Sequence, residues 1–442
     1  LHYKNKVRSR ISLLRVLSLL VPVILLIIGC QNKSTPLEPI TIKIAGMDQI
    51  EYDNIYEPLL TKQLPNVQFE VELGPFGGVD LNEITSYMNA EQPDILIASN
   101  FTYPDIVKSG MVDSLDMLID EKKAQSKFIQ KLRSYSEDNQ VYGWSSSFSS
   151  SALFYNKSLF DQYHVEYPRE GISWGDMLKL AQQFPQKGEG GEPLFGYNSP
   201  GEQKPEKKIA SLINQAGITE QLNLVNQSSD MLTINTKEWS QIWTSIIEAY
   251  QAGAISNTAV QENGIEEIKG TTIQEYYSDF IQGNAAMIIG RNDLLEELQD
   301  NSSFKWGITD SPGRYNSDIV PGMIYMINKL SAHKEEARQV IQALTSDEAA
   351  IYYMNLQGFK GTIAIPLNVK LLEDKLGMDL SAFYRKEPVK FDWWEVPVEF
   401  SRAYREIQEQ EIKLILAGEQ TVNQALIEIE NKLAPEWKRT KS

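Results

Sequence analysis

The chain has 442 residues, 42% of them hydrophobic and 10% aromatic, which is too much for one ordinary core and points to two packed lobes rather than a disordered chain. A net charge of −17 argues against a nucleic-acid partner and against peripheral attachment to anionic lipid; it is neutral about sugars and mildly favourable to cationic ligands. The one cysteine, Cys30, excludes internal disulfides and thiolate metal sites.

Residues 1–29 read as a signal peptide. Lys4, Lys6, Arg8, Arg10 and Arg15 precede an apolar run over 16–28, and the run closes on Ile27-Ile28-Gly29-Cys30, a lipobox. The run is short for a bilayer span, and Pro22 interrupts it. Cys30 is then the expected lipidation site, and two acyl chains there would anchor the protein stably on the extracellular face of the cell membrane. Residues 30–39, polar with Pro36 and Pro39, form a tether.

From residue 40, Ile40, Ile42 and Ile44 alternate with Thr41, Lys43 and Ala45, a half-buried strand that stops at Gly46-Met47-Asp48. A helix is predicted over 50–64, ending before Pro65. Val67, Phe69, Val71 and Leu73 mark a second strand, 82–89 a short helix, and 93–98 a buried strand that opens onto Ser99-Asn100-Phe101-Thr102-Tyr103. This alternation is the rhythm of a mainly parallel sheet with helices on its faces. Residues 141–160 then read as strand, open loop, strand. Gly143 and Trp144 break the first run, serines follow, and Ala152, Leu153, Phe154 and Tyr155 resume it. A serine-rich, proline-free bridge between buried strands suits a hinge between lobes, and an ordinary surface loop is the alternative.

Ser173 and Asp176 have the spacing of a capping box, and the helix they start carries Trp174, Met177, Leu178, Ala181 and Phe184 on one face. Residues 187–205, rich in Gly, Glu and Pro, read as a loop. Helices follow over 208–216 and 238–252, the second bearing Trp239, Ile242, Trp243, Ile246 and Tyr250 on one face. Residues 285–289 form a strand stopping at Gly290-Arg291-Asn292, and 306–308 and 323–327 are strands either side of a loop. A helix spans 335–344. Thr421 and Gln424 form a second capping box before a helix striped with Val422, Ala425, Leu426, Ile429 and Leu433. There is no internal repeat.

The stretch Tyr142 through Leu153-Phe154-Tyr155-Asn156-Lys157-Ser158-Leu159-Phe160, with Tyr167-Pro168 and Ser173-Trp174, resembles the middle block of extracellular solute-binding proteins of the maltose-binding type, which deliver sugars to ABC importers. Three further blocks resemble that family in the same order: Pro93-Asp94-Ile95 with Gly110-Met111-Val112 and Leu115-Asp116; residues 280–291; and 335–346 followed by 412–426 with Gly418-Glu419 and Thr421. The resemblance covers nearly all of the chain after the signal peptide. It implies a two-lobed periplasmic-binding-protein-like α/β fold with hinge crossovers near 148–152, 307–311 and 345–348. Lobe 1 is then 40–148 with 309–346, and lobe 2 is 149–308 with 347–442. Residues 387–397 and 257–275 have no sharp counterpart in the family.

In open parallel sheets ligands sit outside the carboxyl ends of strands. That rule points to Met47 and Asp48; Asn100, Phe101 and Tyr103; Trp144 and Ser145; and Arg291 and Asn292. Trp393 and Trp394 are the aromatic candidates of the second lobe. Aromatic faces suit the C–H side of a sugar ring, and Asp, Asn and Arg exchange hydrogen bonds with vicinal hydroxyls. Competing roles stand beside these: any of the aromatics can be core, Arg291 can pair with Glu296 or Glu297, and Asp48 can cap the helix near Ile50.

The expected function is non-catalytic capture of a carbohydrate, an oligosaccharide foremost, and its delivery to an ABC importer permease by a monomeric lipoprotein needing no cofactor or metal. A secreted carbohydrate-active enzyme, a binding protein for a cationic ligand such as a polyamine, and a lipoprotein that keeps the fold without a ligand are the alternatives. The chain has no GxSxG, HExxH, Walker or dinucleotide fingerprint.

Overall fold

A computed structural model describes residues 40–76, 80–120, 125–202, 204–226, 228–256, 273–356, 364–389 and 396–440. Residues 1–29, Cys30, the 30–39 tether, Trp393 and Trp394 lie outside the described residues. The chain divides into two compact units, residues 1–41 with Asn66–Gln68, and Ile42–Pro65 with Phe69–Ser442. Apart from residues 40–41 and 67–68, which belong to the first unit, the sheets described below lie in the second. Among the described residues no helix is long and apolar enough to cross a membrane.

The strands in chain order are β1 (Ile40–Ala45), β2 (Val67–Glu72), β3 (Ile95–Ala98), β4 (Trp144–Ser145), β5 (Ser147–Ser149), β6 (Ser151–Asn156), β7 (Phe195–Asn198), β8 (Val225–Asn226), β9 (Met231–Leu232), β10 (Ala285–Arg291), β11 (Trp306–Asp310), β12 (Val320–Pro321), β13 (Ile324–Ile327) and β14 (Ile365–Pro366). One sheet has the order β2-β1-β3-β13-β4 and another β11-β6-β10-β7. The predicted alternation places Ile42 and Ile44 fully inside the first, and every residue of β3 and β13 is buried. The helix Lys334–Leu344 packs on β13 with Ala337, Val340, Ile341 and Leu344 buried, and the helix Glu57–Gln63, with Leu59 and Leu60 buried, packs on that helix. Each such leucine contributes about 1.5–3 kcal/mol by burial.

The sheets are more mixed than the strand–helix rhythm implies. β1 runs parallel to β3 and β7 parallel to β10, but β13 is antiparallel to β3 and β4, and β6 is antiparallel to β10 and β11. The antiparallel members are those whose flanking chain enters from another sheet rather than through a covering helix, so they need not keep the crossover direction.

β7 corrects the reading of 187–205 as a loop. Its four residues are all buried, and Gly196 lets it lie against the helix Trp174–Ala181, where a Cβ would sit 1.9 Å from the Ala181 carbonyl oxygen. That helix begins on Ser173, whose Oγ accepts the Asp176 N–H; Asp176 returns its carboxylate to the Ser173 hydroxyl rather than to the backbone, so the box is only half formed. Thr421 and Gln424 do form the reciprocal box. Trp174, Trp239 and Trp243 are core, as their helical stripes predict, and the stripe of the helix Val422–Arg439 buries Ala425, Leu426, Ile429 and Leu433 in the same cluster.

A third, small sheet of order β12-β5-β14 links the other two. β5 continues from β4 of the first sheet and leads into β6 of the second; Phe148 pairs with both Pro321 and Ile365. Residues 345–348 sit at the junction of the helices Lys334–Leu344 and Asp347–Asn355. Beside β5 a buried polar node forms. The Ser150 hydroxyl donates to the Phe383 carbonyl, and Asn316 Nδ2 donates to Ser150 Oγ and to Phe383 O, both at 2.9 Å.

Candidate functional site

Register brings several of the expected residues to one end of the first sheet. Ala45 pairs with Leu96, Ala98 with Ile324, and Ile324 with Ser145, so the segments following β1, β3 and β4 converge there. In the turn after β3 the Thr102 and Tyr103 N–H groups both donate to the Ser99 carbonyl, and Phe101 at its tip is 84% exposed, beside half-buried Asn100. Asp48, exposed, caps the first helix, its Oδ1 accepting the Glu51 N–H at 2.8 Å. Burial raises the Glu51 carboxyl above the usual range, and Asp48 adds to the effect.

Tyr103, Trp144, Ser145 and Met47 are placed otherwise. Tyr103 is wholly buried, its hydroxyl accepting the Tyr142 N–H at 3.2 Å and its ring edge-on to Tyr135. Trp144 is buried edge-on against Phe128, Met47 is buried, and the Ser145 hydroxyl is turned into the backbone, donating to Ser147 O. In this arrangement these side chains face the core rather than an opening. The strand ends where expected, but the large side chains next to it turn into the core because the helix Ser126–Arg133 and the 135–142 segment cover that face.

At the second sheet β10 runs one residue past Gly290, so exposed Arg291 ends the strand, its N–H donating to Tyr277 Oη at 3.2 Å. Asn292 is buried and clamps the serine bridge. Its N–H donates to Ser150 O at 3.0 Å and its Oδ1 accepts the Ser150 N–H at 2.8 Å, so those groups are spent within the fold. Asp293 comes next. Its Oδ1 is buried with no hydrogen-bond partner among the described residues, and burial raises its pKa although Arg291 pulls the other way. Tyr276, 42% exposed, stands edge-on to buried Tyr277 at 4.9 Å. Its hydroxyl pKa is pushed up by burial first, then by Asp293; Arg291 lowers it, and Asp318 of the crossover loop raises it further, so these groups share one neighbourhood.

The parallel neighbour β7 ends at the same edge. The Ser256 hydroxyl donates to Asn198 Oδ1 at 2.9 Å and accepts the Ser199 N–H at 3.0 Å, while buried Lys208 donates to the Ser199 carbonyl. Burial lowers the Lys208 pKa. These residues, with Asp293, Tyr276 and Tyr277, escape sequence reasoning. The adjacent tyrosines before the turn at Gly283 were the one visible signal.

The two strand ends are joined by the chain itself. Ser145 belongs to the first and Ser150 is bonded to Asn292 at the second; five residues span at most about 18 Å. Phe101 and Tyr276 supply aromatic faces, and Asn100, Arg291 and Asp293 supply donors and acceptors. Such a set is chemically suited to hydroxyl-bearing ligands. Among the described residues no cluster of three or more His, Cys, Asp or Glu could hold a metal ion.

Residues 49–351 match the family described as bacterial extracellular solute-binding protein. A binding protein of Brucella abortus (strain 2308) is 24% identical over 362 residues, 78% of this chain and 81% of that protein. Among solved structures, the ABC substrate-binding protein of Listeria monocytogenes in complex with cycloalternan is 18% identical with a TM-score of 0.52, over 90% of this chain and 98% of that one. The sugar-binding protein MalE from Xanthomonas citri is 14% identical with a TM-score of 0.59, over 91% and 98%. The two-lobed architecture of those structures is the fold of this chain.

Proposed function

This chain belongs to the bacterial extracellular solute-binding proteins, and we propose that within that family it captures a carbohydrate, an oligosaccharide foremost, between its two sheets and hands it to an ABC importer permease without transforming it. The observation that carries this reading is the pairing of displayed aromatic rings with unspent polar groups at the two strand ends: Phe101 with Asn100 at one, Tyr276 with Arg291 and the partnerless Asp293 oxygen at the other. A sugar ring offers an apolar C–H face to the rings and vicinal hydroxyls that donate to a carboxylate and accept from a guanidinium. Asp48, also exposed, is a further acceptor at the rim. The sugar-binding protein from Xanthomonas citri and the cycloalternan complex from Listeria monocytogenes, sharing the fold, support the ligand class. A lipid on Cys30 would hold the monomer at the extracellular face of the membrane, beside the permease.

Thermal unfolding in the presence of a panel tests this. Maltose, maltotetraose, cycloalternan and cellobiose are compared with spermidine. A ligand that binds only the native state at a thousandfold excess over its Kd adds about 4 kcal/mol and raises Tm accordingly. At least one oligosaccharide is expected to do so, and Arg291→Ala to weaken it about tenfold or more, the worth of a charge-assisted hydrogen bond. A shift with spermidine alone moves the ligand to the cationic class, and products from a labelled oligosaccharide make the protein an enzyme.

A further inference from the structure

A second cavity, of about 850 Å³, lies at the β11 edge of the second sheet, the opposite edge from β7. Its volume falls in the range of small-molecule sites. We propose that it is an accessory binding site for a neutral saccharide unit, separate from the site at the strand ends.

One wall is aromatic. Tyr155 lies flat across β11 because its partner there is Gly307, where a Cβ would meet the Tyr155 ring at 2.6 Å. Tyr167 tilts against Tyr155 with centroids 5.5 Å apart, and its hydroxyl is held by Asp161. The opposite wall is polar and equally fixed. Arg385 donates to buried Asp310 at 2.8 Å, to Glu170 at 3.0 Å and to Ser381 at 2.6 Å.

Between the walls stands Thr309, 6% exposed, whose hydroxyl is buried without a hydrogen-bond partner among the described residues. A buried hydroxyl is costly to leave unpaired, and a ligand hydroxyl reaching it would supply the missing bond. The lining carries four carboxylates against two guanidiniums, which disfavours an anion. With Asp161 and Glu170 already paired, the site does not single out a cation either. Ring faces, a fixed polar wall and an unused hydroxyl together match a neutral sugar.

Saturation-transfer NMR on the full chain tests the assignment, with methyl α-glucoside, methyl β-galactoside, maltose and cellobiose as probes and spermidine as the cationic control. All measurements are made in the Arg291→Ala background, which weakens the strand-end site. Transfer to at least one sugar is expected to persist there and to fall about fivefold or more in Tyr167→Ala and in Thr309→Val. Thr309→Val loses no hydrogen bond, so it folds as the parent does, and a thermal melt verifies this. The proposal is overturned by absence of transfer to all four sugars, by transfer that neither substitution changes, or by transfer to spermidine alone. Because the strand-end site is read separately by Arg291→Ala in the parent chain, failure of one site leaves the other standing.

Discussion

Asp293 answers to folding and to binding with opposite preferences. Burial raises its carboxyl above the ordinary value, and Arg291 recovers only part of that cost, so the folded chain holds this proton more tightly than the unfolded one. A raised folded pKa means that the group's contribution to stability is complete below the ordinary carboxylate pKa and is lost as pH rises through the folded value. At neutral pH the group is therefore a net liability for the fold. It follows that Asp293→Asn gains about 1–2 °C in Tm at pH 7 over the parent chain, and that the gain shrinks as pH is lowered toward the ordinary carboxylate range. If the partnerless oxygen serves ligand hydroxyls, the same substitution weakens sugar binding about tenfold. Paired calorimetric melts at pH 4 and pH 7, with a sugar titration at pH 7, measure both. A variant stabilised with unchanged affinity would separate Asp293 from the ligand.

At the scale of elements, the helix Trp174–Ala181 and β7 show how close packing depends on one residue. Glycine is the only residue type that fits at position 196 beneath the Ala181 carbonyl, because the atoms it would meet are backbone and cannot step aside. Gly196→Ala is expected to cost about 1–3 kcal/mol by urea denaturation, with the m-value unchanged, because it overpacks a buried strand. The same strand explains what the sequence hides. Phe-Gly-Tyr-Asn is only four residues long and sits among Gly, Glu and Pro, too short a pattern to stand out; it is a strand because β10 lies beside it, 90 residues later in the chain. By contrast β1 and the helix Lys237–Gln251 each bury one face against their neighbours, so their periodicity is readable in isolation. Candidate residues divide along the same line. Strand ends are local, which is why the positions of Asn100, Phe101 and Arg291 at or just after strand ends are readable in sequence. Whether a ring beside a strand end points inward is decided by distant segments, which is why Tyr103 and Trp144 are core instead.

For the molecule as a whole, the proposed capture of a sugar between the two sheets requires them to move, and the question is which residues would let them. The small sheet β12-β5-β14 is held by two-residue ladders, and each outer strand includes a proline, Pro321 or Pro366, that has no N–H to give. Few backbone hydrogen bonds therefore resist a change of angle there. The Ser150, Asn292, Asn316 and Phe383 node is different: it is buried, its polar groups bond one another, and it fixes where the chain enters the second sheet. A thin ladder beside a rigid node concentrates bending into a few residues, as hinge closure requires. A ligand shifts such an equilibrium only by its differential affinity for the two arrangements. A sugar touching both strand ends binds the closed arrangement better, whereas one touching a single end does not discriminate. Small-angle scattering is therefore expected to show a smaller radius of gyration with whichever oligosaccharide raises Tm, and Arg291→Ala to need more sugar for the same decrease. An oligosaccharide that stabilises the protein with the radius unchanged would place it on one lobe alone, and the transport reading would lose the closed form that a permease distinguishes.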